Sequence, residues 1–165
     1  MTTPWPPTQS AVYFTLHLRI EQATKTIKVY SINCKMSQTA LVTGGTGFIA
    51  LYVVKLLLKH GHHVHTTVRS LANKKKCKSL LELQTQYPDK LTLFEADLLS
   101  HGSFFQAMQG CDTVYHIASP FLVPQQIKDG MKDCVEPALN GTRNVLVSVN
   151  DTESVRRVVL TSSSK

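Results

Sequence analysis

The chain has 165 residues, 42% hydrophobic and 18% charged, with a net charge of +7, a balance that builds a core and excludes disorder as the default. Residues 1–35 hold +3 of that charge (Arg19, Lys25, Lys28 and Lys35 against Glu21), leaving +4 on the rest, too dilute for the concentrated basic face that nucleic acid requires. No run reaches the ~18 apolar residues of a membrane-spanning helix, and no basic segment leads an apolar core as in a secretory signal.

Residues 1–35 open with the proline-rich MTTPWPP and continue through two alternating stretches, VYFTLHLRI and TKTIKVYSI. Alternation predicts strands, which would form a hairpin around Glu21 to Ala23. Met36 stands directly before the next strand and is read as the true start. Residues 1–35 are then an extension or an artefact of the gene model, as termini are often poorly tied down. The lack of acids before Glu21 leaves a mitochondrial address as an alternative, weakened by the single arginine in that stretch. Cys34, Cys77, Cys111 and Cys134 form no Cys-x-x-Cys, which suggests neither a zinc site nor a disulfide framework and fits a reduced, cytoplasmic chain.

From Met36 onward strand and helix patterns alternate. A strand at Thr39 to Thr43 is followed by a helix from about Gly47 to His60, with Ile49, Val53, Leu56 and Leu57 expected on its inner face and Gly61 as its αL cap. The strand HHVHTTV leads into a helix near Lys75 to Gln86, and Pro88 precedes the strand LTLFEA. Phe104 to Met108 is a short helix and DTVYHIA a fourth strand. A helix from about Val135 to Val149 and the strand VRRVVLT complete the series. Strands separated by helices demand right-handed crossovers and a parallel sheet covered on both faces. The expected fold is therefore α/β, a doubly wound parallel sheet cut off after its fifth strand. The edge beyond that strand would be open, a liability for aggregation or a surface for self-association.

The turn after the first strand carries the chemistry. In TALVTGGTGFIA, Gly44, Gly47 and Ala50 are spaced G-x-x-G-x-x-A between strand and helix. Gly44 permits the tight turn, Gly47 lets backbone approach a pyrophosphate, and Ala50 keeps the helix near the sheet. An anion then sits at a helix N-terminus, where free N–H groups and the dipole favour it. The absence of Gly-Lys-Ser/Thr argues against a nucleoside triphosphatase P-loop. Glycines alone often only mark turns; their place between a strand and a helix makes this a dinucleotide signature. An NAD enzyme usually carries an acid at the end of the second strand. Here no carboxylate occurs between Glu21 and Glu82, and Val68 is followed by Arg69, Ser70 and the run Lys74, Lys75, Lys76 and Lys78. A guanidinium there pairs with a 2′-phosphate, so NADPH is expected over NADH. For any single lysine of the run, a solvated helix face is an equal reading.

Taken in order, TGGTGFIA, TTVRS, EADL, YHIASP, VEPALNGTRNVL and RRVVLTSSS resemble the extended short-chain dehydrogenase/reductases, within the NAD-dependent epimerase/dehydratase superfamily. The likeness is greatest to the branch of dihydroflavonol reductases, cinnamoyl-CoA reductases and fungal aldehyde or ketone reductases. It covers about Thr39 to Ser164 and does not specify the substrate. It implies that residues 36–165 are an incomplete NAD(P)-binding Rossmann domain, in which Gly44, Gly47, Phe48 and Ile49 line the pyrophosphate and Arg69 with Lys76 holds the 2′-phosphate. It implies further that Asp97 and Leu98 lie beside the adenine and that Ala118, Ser119 and Pro120 pass the nicotinamide ribose. Gly141 and Asn144 match positions that pack the following helix. Packing alone would explain Gly141, and a turn cap would explain Asp97.

By the same resemblance Ser163 would hydrogen-bond a substrate carbonyl, with a Tyr-x-x-x-Lys pair as general acid and its helper. Four residues after Tyr13, Tyr30, Tyr52, Tyr87 and Tyr115 come His17, Cys34, Leu56, Leu91 and Ser119, so the pair is missing. Lys165, two residues beyond Ser163 at the strand's end, is not the helical lysine. The chain is thus expected to be the cofactor-binding part of an NADP-dependent oxidoreductase, with a carbonyl substrate only in a complete chain. A non-catalytic dinucleotide sensor or dimerising paralogue and a sugar-nucleotide epimerase or dehydratase fragment are the alternatives. His60, His62, His63 and His65 lack a Cys or acid to complete a metal site.

Overall fold

The computed structural model describes residues 39–120 and 124–162; the expected N-terminal hairpin, Ser163, which the resemblance would place against a substrate carbonyl, and Lys165 lie outside them. Five strands, β1 (Thr39–Val42), β2 (His63–Val68), β3 (Leu91–Glu95), β4 (Thr113–His116) and β5 (Arg157–Leu160), form one parallel sheet in the order β3-β2-β1-β4-β5. Helices α1 (Phe48–Lys59) and α2 (Lys74–Gln86) carry the chain outward from β1 to β3. Helices α3 (Phe105–Met108) and α4 (Glu136–Asn150), the latter preceded by a π turn at Met131–Val135, carry it from β3 back across to β5.

Because the chain winds one way and then the other, the sheet is covered on both faces. On one face Ala50, Val54 and Leu58 of α1 and Cys77, Leu80 and Leu83 of α2 pack over Val42, Val64, Val68 and Leu91. On the other, Ala107 and Met108 of α3, the adjoining Phe104, and Val145 of α4 pack over Leu41 and Val114. Adjacent residues of β1 thus serve opposite layers, as the period of two requires, and Ala40, Leu41 and Val42 are completely buried. This is the expected doubly wound fold.

Element boundaries lie within one or two residues of those read from the pattern. Gly61 has φ +86° and follows α1 as a left-handed cap, its N–H reaching the carbonyl of Leu58. The inner face of α1 is different from the one expected. The buried line is Ala50, Val54 and Leu58, with Val53 and Leu57 beside it, whereas Ile49 is 56% and Leu56 48% exposed. The most buried position of the first turn is a small alanine, which a count of large apolar residues passes over. The turn ahead of the helix lies tight against the sheet, since a Cβ on Gly45 would collide with the Thr66 side chain.

Of the four histidines near the start of β2, His62 is buried and His63 exposed, while the Nδ1 groups of His60 and His65 donate to the carbonyls of Leu56 (2.7 Å) and Ala107 (2.8 Å). Among the described residues no group of three His, Cys, Asp or Glu side chains comes together as metal ligands, and no helix is long and apolar enough to cross a membrane. Cys111 lies in the core, where burial, with the charge of Asp112 adding to it, pushes its thiol up to about 12. Leu80→Ala should cost about 2–5 kcal/mol, since it opens a cavity under α2 in a rigid layer; chemical denaturation would show the midpoint moving down with an unchanged slope.

Candidate functional site

The loops that leave β1 and β4 turn to opposite faces of the sheet, and a crevice opens between them at the carboxyl ends of the strands. It holds a cavity of about 810 Å³. The phosphate turn forms one wall, with Gly44, Gly47, Phe48 and Ile49 all lining it; Arg69 stands at the end of β2, Asp97 and Leu98 after β3, and Ala118, Ser119 and Pro120 after β4. Ten residues singled out from four separate stretches of sequence therefore share one cavity. Lys76 is not among its lining residues; it sits exposed in the first turn of α2, its N–H donating to the Asn73 side chain that caps the helix.

The turn is shaped by close approach. Gly44 has φ +73°, a region that favours glycine, and a Cβ built on it would lie 3.0 Å from the Cβ of Ala118. A Cβ on Gly47 would meet the carbonyl oxygen of Gly44 at 3.2 Å. Helix α1 begins there with no side-chain cap and no acid in its first turn, so its leading N–H groups are left for something outside the helix. Those features fit the pyrophosphate of a dinucleotide: two glycines leave room for the backbone to approach it, and an uncapped, positively polarised helix end receives it.

Thr67, Thr43 and Glu95 were not singled out from the sequence, whereas Asn144, Gly141 and Asp97 were. Thr67 of β2 accepts from the Gly44 N–H through its hydroxyl (3.2 Å) and from the Gly45 N–H through its carbonyl (2.8 Å), pinning the turn to the neighbouring strand. Thr43 accepts from the N–H groups of Ile117 and Ala118, each at 3.0 Å, and so holds the loop after β4. Asn144 on α4 donates to the Leu98 carbonyl at 2.8 Å, while Gly141 comes so near that a Cβ would lie 3.1 Å from that of Leu98. These two residues fix the β3 loop from the opposite helix layer. Asp97 caps its own turn, accepting from the Leu99 N–H at 2.8 Å, the bland role its residue type allowed. At the end of β3, Glu95 accepts from the Leu71 N–H at 2.9 Å, bringing a carboxylate to the segment after Arg69 from a distance in sequence at which none was foreseen.

A model of the NAD dependent epimerase/dehydratase family matches residues 40–165. The chain belongs to that family. An anthocyanidin reductase from Vitis vinifera is 46% identical over 126 residues, which are 76% of this chain and 36% of the relative. A bifunctional dihydroflavonol 4-reductase/flavanone 4-reductase from Malus domestica is 41% identical over 127 residues, again 36% of its length. The chain thus spans little more than a third of these relatives. Among solved structures, Gre2 from Candida albicans in complex with NADPH matches with a TM-score of 0.66 at 37% identity, over 76% of this chain and 37% of that one. The family is one of NAD(P)-dependent reductases and epimerases, and the resemblance to its reductase branch read from the motifs holds.

Gly44→Ala tests the cradle. Forcing a Cβ into a left-handed position against Ala118 should cost about 1–3 kcal/mol of stability and lower dinucleotide affinity at least tenfold, as read by thermal unfolding and by titration of cofactor fluorescence.

Proposed function

We propose that this chain binds NADP(H) in the crevice at the switch point and is the cofactor-binding part of a reductase acting on a carbonyl or secondary alcohol. The observation that carries the reading is the uncapped start of α1 facing a cavity whose β2 wall ends in Arg69 rather than an acid. In this assignment the turn from Gly44 to Ile49 holds the pyrophosphate and Arg69 the 2′-phosphate, with Lys76 beside it. Asp97 and Leu98 border the adenine, and Ala118, Ser119 and Pro120 the nicotinamide ribose. The preference for NADPH is supported by the first turn of α2. It contains Lys74, Lys75 and Lys76 and no acid, an arrangement the helix dipole disfavours and a bound anion would relieve. Glu95 stands at the end of β3 rather than of β2, and its carboxylate accepts from the Leu71 N–H. The Gre2 structure matched at the same fold contains NADPH, in keeping with this choice.

When bound, the nicotinamide supplies a hydride to the carbonyl carbon. These residues hold and orient the dinucleotide, and Ser163 would hydrogen-bond the carbonyl oxygen. None of the five tyrosines is followed at the fourth position by lysine, so no Tyr-x-x-x-Lys pair here delivers the proton, a step worth about 10²- to 10⁴-fold in rate. The names of the matched relatives favour a reductase over an epimerase. A cytoplasmic location accords with the unpaired cysteines among the described residues.

Titration of the purified chain should show NADPH binding at least tenfold more tightly than NADH. Arg69→Ala should weaken NADPH by about 1.5–3 kcal/mol, the value of a hydrogen bond to a charged group, while changing NADH little. Equal or tighter binding of NADH by the wild type overturns the assignment. The 165-residue chain should also show no detectable carbonyl reduction with NADPH; measurable turnover would mean that another group supplies the proton.

A further inference from the structure

Thr43 is the last residue before the phosphate turn and is completely buried; His116, the last residue of β4, is 3% exposed. The Thr43 Oγ1 lies 3.0 Å from the His116 Nδ1. That oxygen has two lone pairs and one proton, and both lone pairs face N–H groups, those of Ile117 and Ala118. The proton has one place left to go, the His116 Nδ1, which must therefore be bare. His116 is neutral and carries its proton on Nε2.

We propose that His116 is a positioning residue, which by accepting from Thr43 locks the loop after β4 against the phosphate turn, so that the dinucleotide site is assembled only while the imidazole is uncharged. The inference rests on reading the crevice as a dinucleotide site. Protonation would place an N–H on Nδ1 opposite an oxygen whose acceptor sites are both taken. Thr43 must then release Ile117 or Ala118, and Ala118 is the residue packed against Gly44. A proton on His116 thus reaches both walls of the crevice in two steps, through the hydroxyl and through the loop.

Burial holds the His116 imidazole below its ordinary value. Of the two strands paired with β4, β1 carries no charged residue and β5 carries Arg157; α4 carries Glu136 and Arg143, Asp112 precedes β4, and the cause of the shift is burial. The neutral form is thus the one the fold selects. Its contribution is present above the ordinary histidine value of about 6.5 and is lost as pH falls below it through the lowered folded-state value.

The test uses the whole 165-residue chain. Long-range ¹⁵N–¹H spectra of the histidine rings should show His116 as the Nε2–H tautomer near neutral pH; the Nδ1–H tautomer would overturn the proposal without reference to any cofactor. NADP+ is then titrated between about pH 7.5 and 5.5 against wild type, H116N, T43S and T43V. The 2′-phosphate itself protonates near pH 6, so the ratio of wild type to H116N is the readout. H116N, whose carboxamide oxygen still accepts from Thr43, should follow the ligand's titration alone, and the wild type should lose additional affinity toward the acid end of that range, by less than the roughly tenfold that an unshifted histidine would give one pH unit below 6.5. T43S should keep the wild-type profile; T43V should bind weakly and lack the His116-dependent part. Parallel profiles for wild type and H116N overturn the proposal. If no variant binds any dinucleotide even near pH 7.5, the cofactor reading fails and the proposal with it, whatever tautomer is found.

Discussion

The crevice is held together at the end of β1. Within three residues the backbone and side chains there reach both neighbouring strands: the Thr43 N–H donates to the Tyr115 carbonyl at 3.0 Å, its hydroxyl holds Ile117 and Ala118, and Gly44 and Gly45 donate to Thr67. Thr43, Gly45 and Thr67 are buried, where a polar group left without a partner costs about 1–3 kcal/mol. The loops are thus not free to leave the sheet in any direction they choose. Winding order alone would place a gap between β1 and β4; this knot of hydrogen bonds gives the gap fixed walls.

Much of this was legible in the sequence, and what was not has a physical reason. The order of elements follows from alternating periods of two and 3.6, and parallel pairing follows from the helices between strands. The glycine turn was legible because positive φ and close approach admit few residues. The inner face of α1 was misread because a helix bordering both a core and a crevice has apolar residues on two sides. Ile49 serves the crevice and Ala50 the core, and side-chain size points to the wrong one. Thr67, His116 and Glu95 left no signal, and Asn144 was marked only by the resemblance. Each acts through a partner 23 to 73 positions away, brought near by strand register or by a helix crossing to a distant loop.

The charges around the crevice are arranged with the same economy. The start of α1 offers uncapped N–H groups and no acid, while the start of α2 is capped by Asn73 and crowded with lysines. Two helix ends that receive anions well thus stand after adjacent strands, with Arg69 leaving β2 between them. Capping makes the difference: Asn73 occupies one of the N–H groups of α2, so its attraction lies mainly in long, flexible ammonium groups, whereas α1 presents fixed backbone donors. A fixed donor set suits a pyrophosphate that must be placed accurately; mobile lysines suit a phosphate at the periphery.

Phe48 gives the last element of this arrangement. It is 83% exposed, its ring 6.1 Å from that of Tyr52, and with Ile49 and Leu99 it gives the cavity an apolar rim. A large aromatic at the first position of a helix contributes little to folding when it is exposed to that extent. Its place is instead at the cavity mouth, beside the uncapped end of the helix. The side chains that do least for the core of α1, Phe48 and Ile49, are thus the ones that border the cavity beside its N-terminus, so the helix divides its apolar residues between two surfaces.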